Sequence, residues 1–150
     1  MELSSGITGF FNSKINKPPQ VDEKQFKQLC FAFVLDNKGR IIKFHSSQNV
    51  TNFYYAQVEI RGIGFYILLN KHYPYLAFAS VIELENIQFI DIPVSSNPFA
   101  PFYKVLDTYN LNLSIEPFLQ GENTLNSAEL KQISYWKPKT MGQVIFNYWD

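Results

Sequence analysis

Cysteine is almost missing from this 150-residue chain. Cys30 stands alone, so no disulfide can form within it and a disulfide-stapled scaffold is excluded. Histidine is scarce as well. His45 and His72 are the only two, and neither has a Cys, a His or an acid beside it at zinc-ligand spacing. Charge of one sign never accumulates. Thirteen Lys and Arg balance 13 Asp and Glu, and no like-charge run exceeds Asp22-Glu23. A nucleic-acid binder normally carries a basic stripe, so no nucleic-acid partner is expected. Long apolar runs are missing too. The cleanest, residues 63–69, is far short of the ~20 residues that cross a bilayer. The first residues carry neither a basic region nor an apolar stretch of the kind a secretory leader needs. The expectation is a cytoplasmic protein with no membrane partner. No glycine-rich phosphate loop and no nucleophile elbow occurs, so the sequence names no catalytic residue, metal or cofactor.

Aromatic residues are present in quantity: 14 Phe, 9 Tyr and 2 Trp. Each buries roughly 150–250 Å², which suffices for one core, and the length suits one domain over 1–150. Residues 1–20 read as an arm, flexible or docking, because Gly6, Gly9 and Pro18-Pro19 interrupt any regular element. Residues 22–28 allow one short helical turn. The apolar run 30–35 and the segment 40–44 flank Asp36-Asn37-Lys38-Gly39, a pattern that predicts a β-hairpin turning near 36–39. In 53–60, Tyr54, Ala56, Val58 and Ile60 alternate with Gln57 and Glu59, the period of a half-buried strand. Further strands are expected over 65–69, 75–81 and 87–92, with a turn at 61–64. Residues 29–92 thus predict about six strands with connections too short for parallel crossovers, an antiparallel sheet.

Several strands carry apolar residues on both faces, so a second layer must cover them. The C-terminal third supplies it. Residues 102–113 allow a short helix, and Pro117 and Gly121 interrupt the chain beyond it. Asn126 with Glu129, and Thr140 with Gln143, have the spacing of capping boxes, which predicts helices starting at both. Strands first and helices last argue for an α+β fold. Phe146 and Trp149 are expected to be buried, as part of the core and not as a tail.

Candidate chemistry is thin. Cys30 heads an apolar run and reads as core. Glu83, Glu85 and Asp91 could pair for acid–base work, but charges on a sheet edge are the commoner case. Tyr54, Tyr55, Tyr73 and Tyr75 are the candidate liners of a pocket between sheet and helices.

The most distinctive stretch is residues 135–150, Tyr-Trp-Lys-Pro-Lys-Thr-Met-Gly-Gln-Val-Ile-Phe-Asn-Tyr-Trp-Asp. It resembles the closing segment of small bacterial immunity-type proteins of polymorphic toxin systems. The likeness covers about a tenth of the chain and contains no catalytic motif. It implies a non-enzymatic binding protein that neutralises a cognate toxin in the producing cell. The alternative from the residues alone is a small-ligand protein or enzyme with an aromatic-lined pocket.

Overall fold

A computed structural model describes residues 2–12, 17–45, 50–83, 86–94 and 97–149. Its fold is α+β, with a six-stranded sheet between two layers. Five strands run antiparallel in sequence order: β1 (Gly39–His45), β2 (Phe53–Ile60), β3 (Ile63–Asn70), β4 (Tyr75–Glu83) and β5 (Asn86–Ile90). The sixth, β6 (Lys104–Val105), lies outside the expected window and pairs parallel with β4. The alternation read in 53–60 is present: Tyr54, Ala56, Val58 and Ile60 are all buried on one face. β2 and β3 are joined through Arg61 and Gly62, both at positive φ (53° and 80°). That twist matches the strands in a two-residue hairpin. The turn is therefore tighter than 61–64, and Gly64 already pairs with Glu59.

The hairpin expected near 36–39 is not there. Residues 30–35 belong to α1 (Glu23–Asp36). A continuous apolar run does not separate a buried strand from a helix, and two features decide for the helix. The Asp22 carboxylate accepts the backbone N–H groups of Lys24 and Gln25 at 2.9 and 3.2 Å, capping a helix start. Phe26, Cys30, Phe33 and Val34 then fall at spacings of four, three and one, one face of a helix. Phe33 inserts among the rings of Phe65, Phe78 and Phe99, at centroid distances of 6.3, 5.9 and 5.3 Å. The turn residues 37–39 do turn the chain, but from helix into strand, with Lys38 at φ 57°.

The other sheet face is covered by both ends of the described chain. α2 (Thr108–Leu111), α3 (Glu116–Gln120), α4 (Ser127–Trp136) and α5 (Met141–Ile145) supply one part. Only four residues of the stretch 102–113 are helical, and Pro117 sits inside the first turn of α3, where its missing N–H costs nothing. The helices at Asn126 and Thr140 begin where their capping boxes predict, with both reciprocal bonds made in each. Thr140→Ala should therefore cost about 1 kcal/mol, read from urea midpoints at unchanged slope; an unaltered midpoint would mean the cap contributes nothing. The segment expected as an arm supplies the rest of this cover: Leu3 and Ile7 are buried in the core beside Leu68 and Val144.

Three buried asparagines join these pieces. The side-chain amides of Asn52 and Asn70 each donate to the carbonyls of both Ile7 and Ile145, at 2.8–3.0 Å. Asn147 donates through its backbone N–H to Asn52 Oδ1 at 2.8 Å, and through its amide to Thr8 and Val144 carbonyls. Buried polar groups are tolerated when fully paired, and these pair the two chain segments through the ends of β2 and β3.

Candidate functional site

The four tyrosines expected to line one pocket do not share one side of the sheet: Tyr55, Tyr73 and Tyr75 pack against the second-face core and Tyr54 against the α1-face core. Tyr54 faces α1, stacked near Phe26 with the Lys71 ammonium 5.4 Å from its ring centroid. Tyr55, one residue on, faces the opposite side of the sheet and stacks against His45 at 4.2 Å. Tyr73 sits beyond β3, its hydroxyl donating to the Ser5 carbonyl. Tyr75 packs against the second-face core near β6. Alternation explains why Tyr54 is set apart from Tyr55, since neighbouring residues of a strand point to opposite faces.

The remaining candidates are also dispersed. Cys30 is buried, and burial pushes its thiol well above the ordinary range, the state of a core residue and not of a nucleophile. His72 donates through Nδ1–H to the Pro19 carbonyl at 3.0 Å. Asp91 accepts the N–H and hydroxyl of Thr108, anchoring α2; Glu83 of β4 pairs with Asn86 of β5, and Glu85 falls outside the described residues. Among the described residues no group of three His, Cys, Asp or Glu could hold a metal ion. Nor is any helix long and apolar enough to cross a membrane.

A concave feature lies elsewhere, in the C-terminal segment. A groove of about 380 Å³ runs between β5, the end of α4, α5 and residues 146–149. Phe89 and Ile87 of β5 line it together with Phe146, Tyr148, Trp149 and Trp136. Both tryptophans of the chain therefore line it. Phe146 is fixed beneath it by Phe53 and Phe89, at 5.8 and 5.7 Å. Gly142 lets α5 come this close, because a Cβ there would lie 2.6 Å from the Phe89 ring and 3.0 Å from the Leu111 carbonyl. Lys137 and Lys139 are exposed and line it as well, on either side of Pro138. Gln143 holds the second: its Oε1 accepts the Lys139 and Thr140 N–H groups at 2.6 and 3.3 Å.

Tyr148 connects the groove to a cluster on the open part of the same face. Its ring meets Phe53 edge-on at 5.6 Å, and Tyr55 meets Tyr66 edge-on at 5.8 Å. Burial pushes the Tyr148 phenol up to about 12, and Tyr55 and Tyr66 add to the rise. On the α1 face, burial likewise pushes Tyr103 up to about 12, with Cys30 and Asp22 adding to it. A phenol whose folded pKa lies above its unfolded value keeps its proton longer in the folded state. Stability from it is complete below the ordinary value of 10.0 and is lost as pH rises toward 12. Denaturant midpoints should therefore fall across that interval, and Tyr103→Phe and Tyr148→Phe should each flatten the fall. Identical alkaline slopes in all three proteins would contradict this.

The sequence points toward this region through residues 135–150 but not to the groove. Phe89 and Ile87 come from a strand some fifty residues earlier, and nothing local in their pattern marks them as its wall. Comparisons with protein-family models, with curated proteins and with solved structures find no match to this chain.

Proposed function

We propose that this chain is a non-enzymatic binding protein and that the aromatic groove of its C-terminal segment is where it binds. The observation that carries the reading is the groove's lining. Its described residues are chiefly rings, with two lysines and two amides and no carboxylate, histidine or cysteine. Apolar walls with few polar groups suit recognition by burial and shape. The residues that resemble immunity-type proteins, 135–150, also build most of this groove. A cognate protein toxin, neutralised in the cytoplasm of the producing cell, is accordingly the partner proposed. Co-expression with the toxic domain of any toxin gene found adjacent to this one tests this. The parent chain should restore growth and the Trp136→Ala and Tyr148→Ala variants should restore less. Death of cells expressing the parent chain would overturn the immunity reading.

A small ligand is the second reading, favoured by the groove volume of about 380 Å³, which falls within the range of small-molecule pockets. Because both tryptophans line the groove, their emission reports its occupancy. Anilinonaphthalene sulfonate, an apolar anion, should shift that emission and gain fluorescence of its own. No change in either signal would remove the groove from both readings.

A further inference from the structure

We infer that the groove takes an aromatic side chain flanked by carboxylates, presented by an acidic stretch of a protein partner. This rests on the binding reading above and adds the chemistry of the occupant. Charge complementarity is the first argument. Lys137 and Lys139 both line the groove, no acidic side chain is among its described lining residues, and neither ammonium has an ion-pair partner among the described residues. A cation at Lys137 is favourable for α4, since it lies at that helix's C-terminal end. Lys139 has no such explanation. It stands immediately before the Thr140 cap of α5, at the positive end of a helix, where a cation is disfavoured.

Both lysines spring from fixed backbone. Lys137 is held at φ 53° as the α4 C-cap, its N–H bonded to the Ile133 carbonyl, and the Lys139 N–H is held by Gln143. Two lysines thus line the groove together with Phe89, Trp136 and Tyr148, an arrangement that selects a ring with negative charge next to it. Size gives the second argument. The apolar surface does not stop at the groove. Tyr135, 75% exposed, meets Trp136 edge-on at 5.2 Å and extends the aromatic surface onto the outside of α4. A ligand that only filled the groove would leave this ring in water, whereas a polypeptide crossing the groove would cover it.

The test uses the full chain and three synthetic peptides: Ser-Glu-Glu-Phe-Glu-Glu-Ser, its counterpart with Gln for every Glu, and one with Ala for Phe. Binding is read by calorimetry and by the emission of tryptophan, a residue the peptides lack. The glutamate peptide should bind roughly tenfold more tightly than the glutamine peptide, an advantage that salt erodes. The Ala peptide should bind more weakly than either. Lys137→Gly combined with Lys139→Gln should abolish the advantage without unfolding the protein, because glycine suits the left-handed cap better than lysine does. Equal affinity for the glutamate and glutamine peptides would overturn the charge assignment while leaving the groove as a binding site. Phenylacetate binding as tightly as the glutamate peptide would overturn the polypeptide. If neither the peptides nor anilinonaphthalene sulfonate perturbs the tryptophans, the binding reading itself fails.

Discussion

Ending the chain after Lys139 should abolish cooperative thermal unfolding. The residues removed include Met141, Val144, Ile145, Phe146 and Trp149, all buried in the second-face core. At about 1.5–3 kcal/mol for each large apolar side chain, their joint burial is comparable with the 5–15 kcal/mol by which a whole domain is stable. The truncation also strips the Asn52 and Asn70 amides of the Ile145 carbonyl they share, leaving buried donors short of partners. It exposes the Phe53 and Phe89 rings that Phe146 covers. Near-ultraviolet circular dichroism against temperature is the measurement. A sharp transition at the parent's midpoint would show that 140–149 is an appendage, and the core described above would be wrong. A single substitution gives a graded version: Phe146→Ala should cost about 3–5 kcal/mol.

Glu129→Ala should be the most damaging change of a charged residue in the chain. Its carboxylate is fully buried and receives four hydrogen bonds. Oε1 accepts the N–H groups of Gly6 and Asn126 at 2.7 and 3.2 Å; Oε2 accepts the N–H and hydroxyl of Thr8 at 3.0 and 2.6 Å. A carboxylate so placed is tolerable because every lone pair is used. Removing it leaves the Gly6 and Thr8 N–H groups buried without an acceptor, each at about 1–3 kcal/mol, and adds a cavity. The expected loss is about 3–5 kcal/mol, the sum of the unmet donors and the cavity. That would lower the melting midpoint by on the order of 10 °C for a chain of this length. Hydrogen exchange supplies the local signature: the amides of Gly6 and Thr8 should lose protection before those of β3. Glu129→Gln keeps the shape but turns a donor toward donors, so it should fall between parent and Ala. A Gln variant as stable as the parent would show that the carboxylate's acceptor capacity is not what holds the N-terminal segment.

How much of this fold is legible in the sequence depends on how local each signal is. Strand β2 is visible because four alternate residues face one core, and the two capping boxes are visible because both partners lie three residues apart. Helix α1 is hidden by its own outer face. Phe31 and Leu35, 55% and 79% exposed, are apolar where a surface helix is usually polar, so the 3.6-residue period is blurred into a run. Asp22 is the signal that could have revealed it. Glu129 is legible as the third residue of a cap, but its second role depends on Gly6 and Thr8, more than a hundred residues away. The groove is illegible for the same reason: residues 135–149 give one side and β5 the other. The tyrosines at 54, 55, 73 and 75 cluster in sequence, and the pleat sends Tyr54 to the α1 face while the other three pack on the opposite one.

The asparagine clamp sets an order of assembly. The face under α1 is built from a helix, successive hairpins and the segment of Phe99 and Tyr103, whose contacts span shorter stretches of chain. The opposite face is sealed by bonds such as Asn147 to Thr8, which span 139 positions, and contacts of such separation are slow to find. Folding should therefore proceed in two unequal parts, with docking of the outer segments as the later event. Asn52→Ala and Asn147→Ala would then speed unfolding far more than they slow folding, whereas a change in the Phe33 cluster would slow folding itself. Denaturant-dependent rates decide the matter: a folding arm slowed as much by Asn147→Ala as by a Phe33 variant would place the clamp in the rate-limiting step. Until the clamp closes, the rings of Phe53 and Phe89 face solvent, and the half-assembled sheet is the form of this protein most prone to self-association.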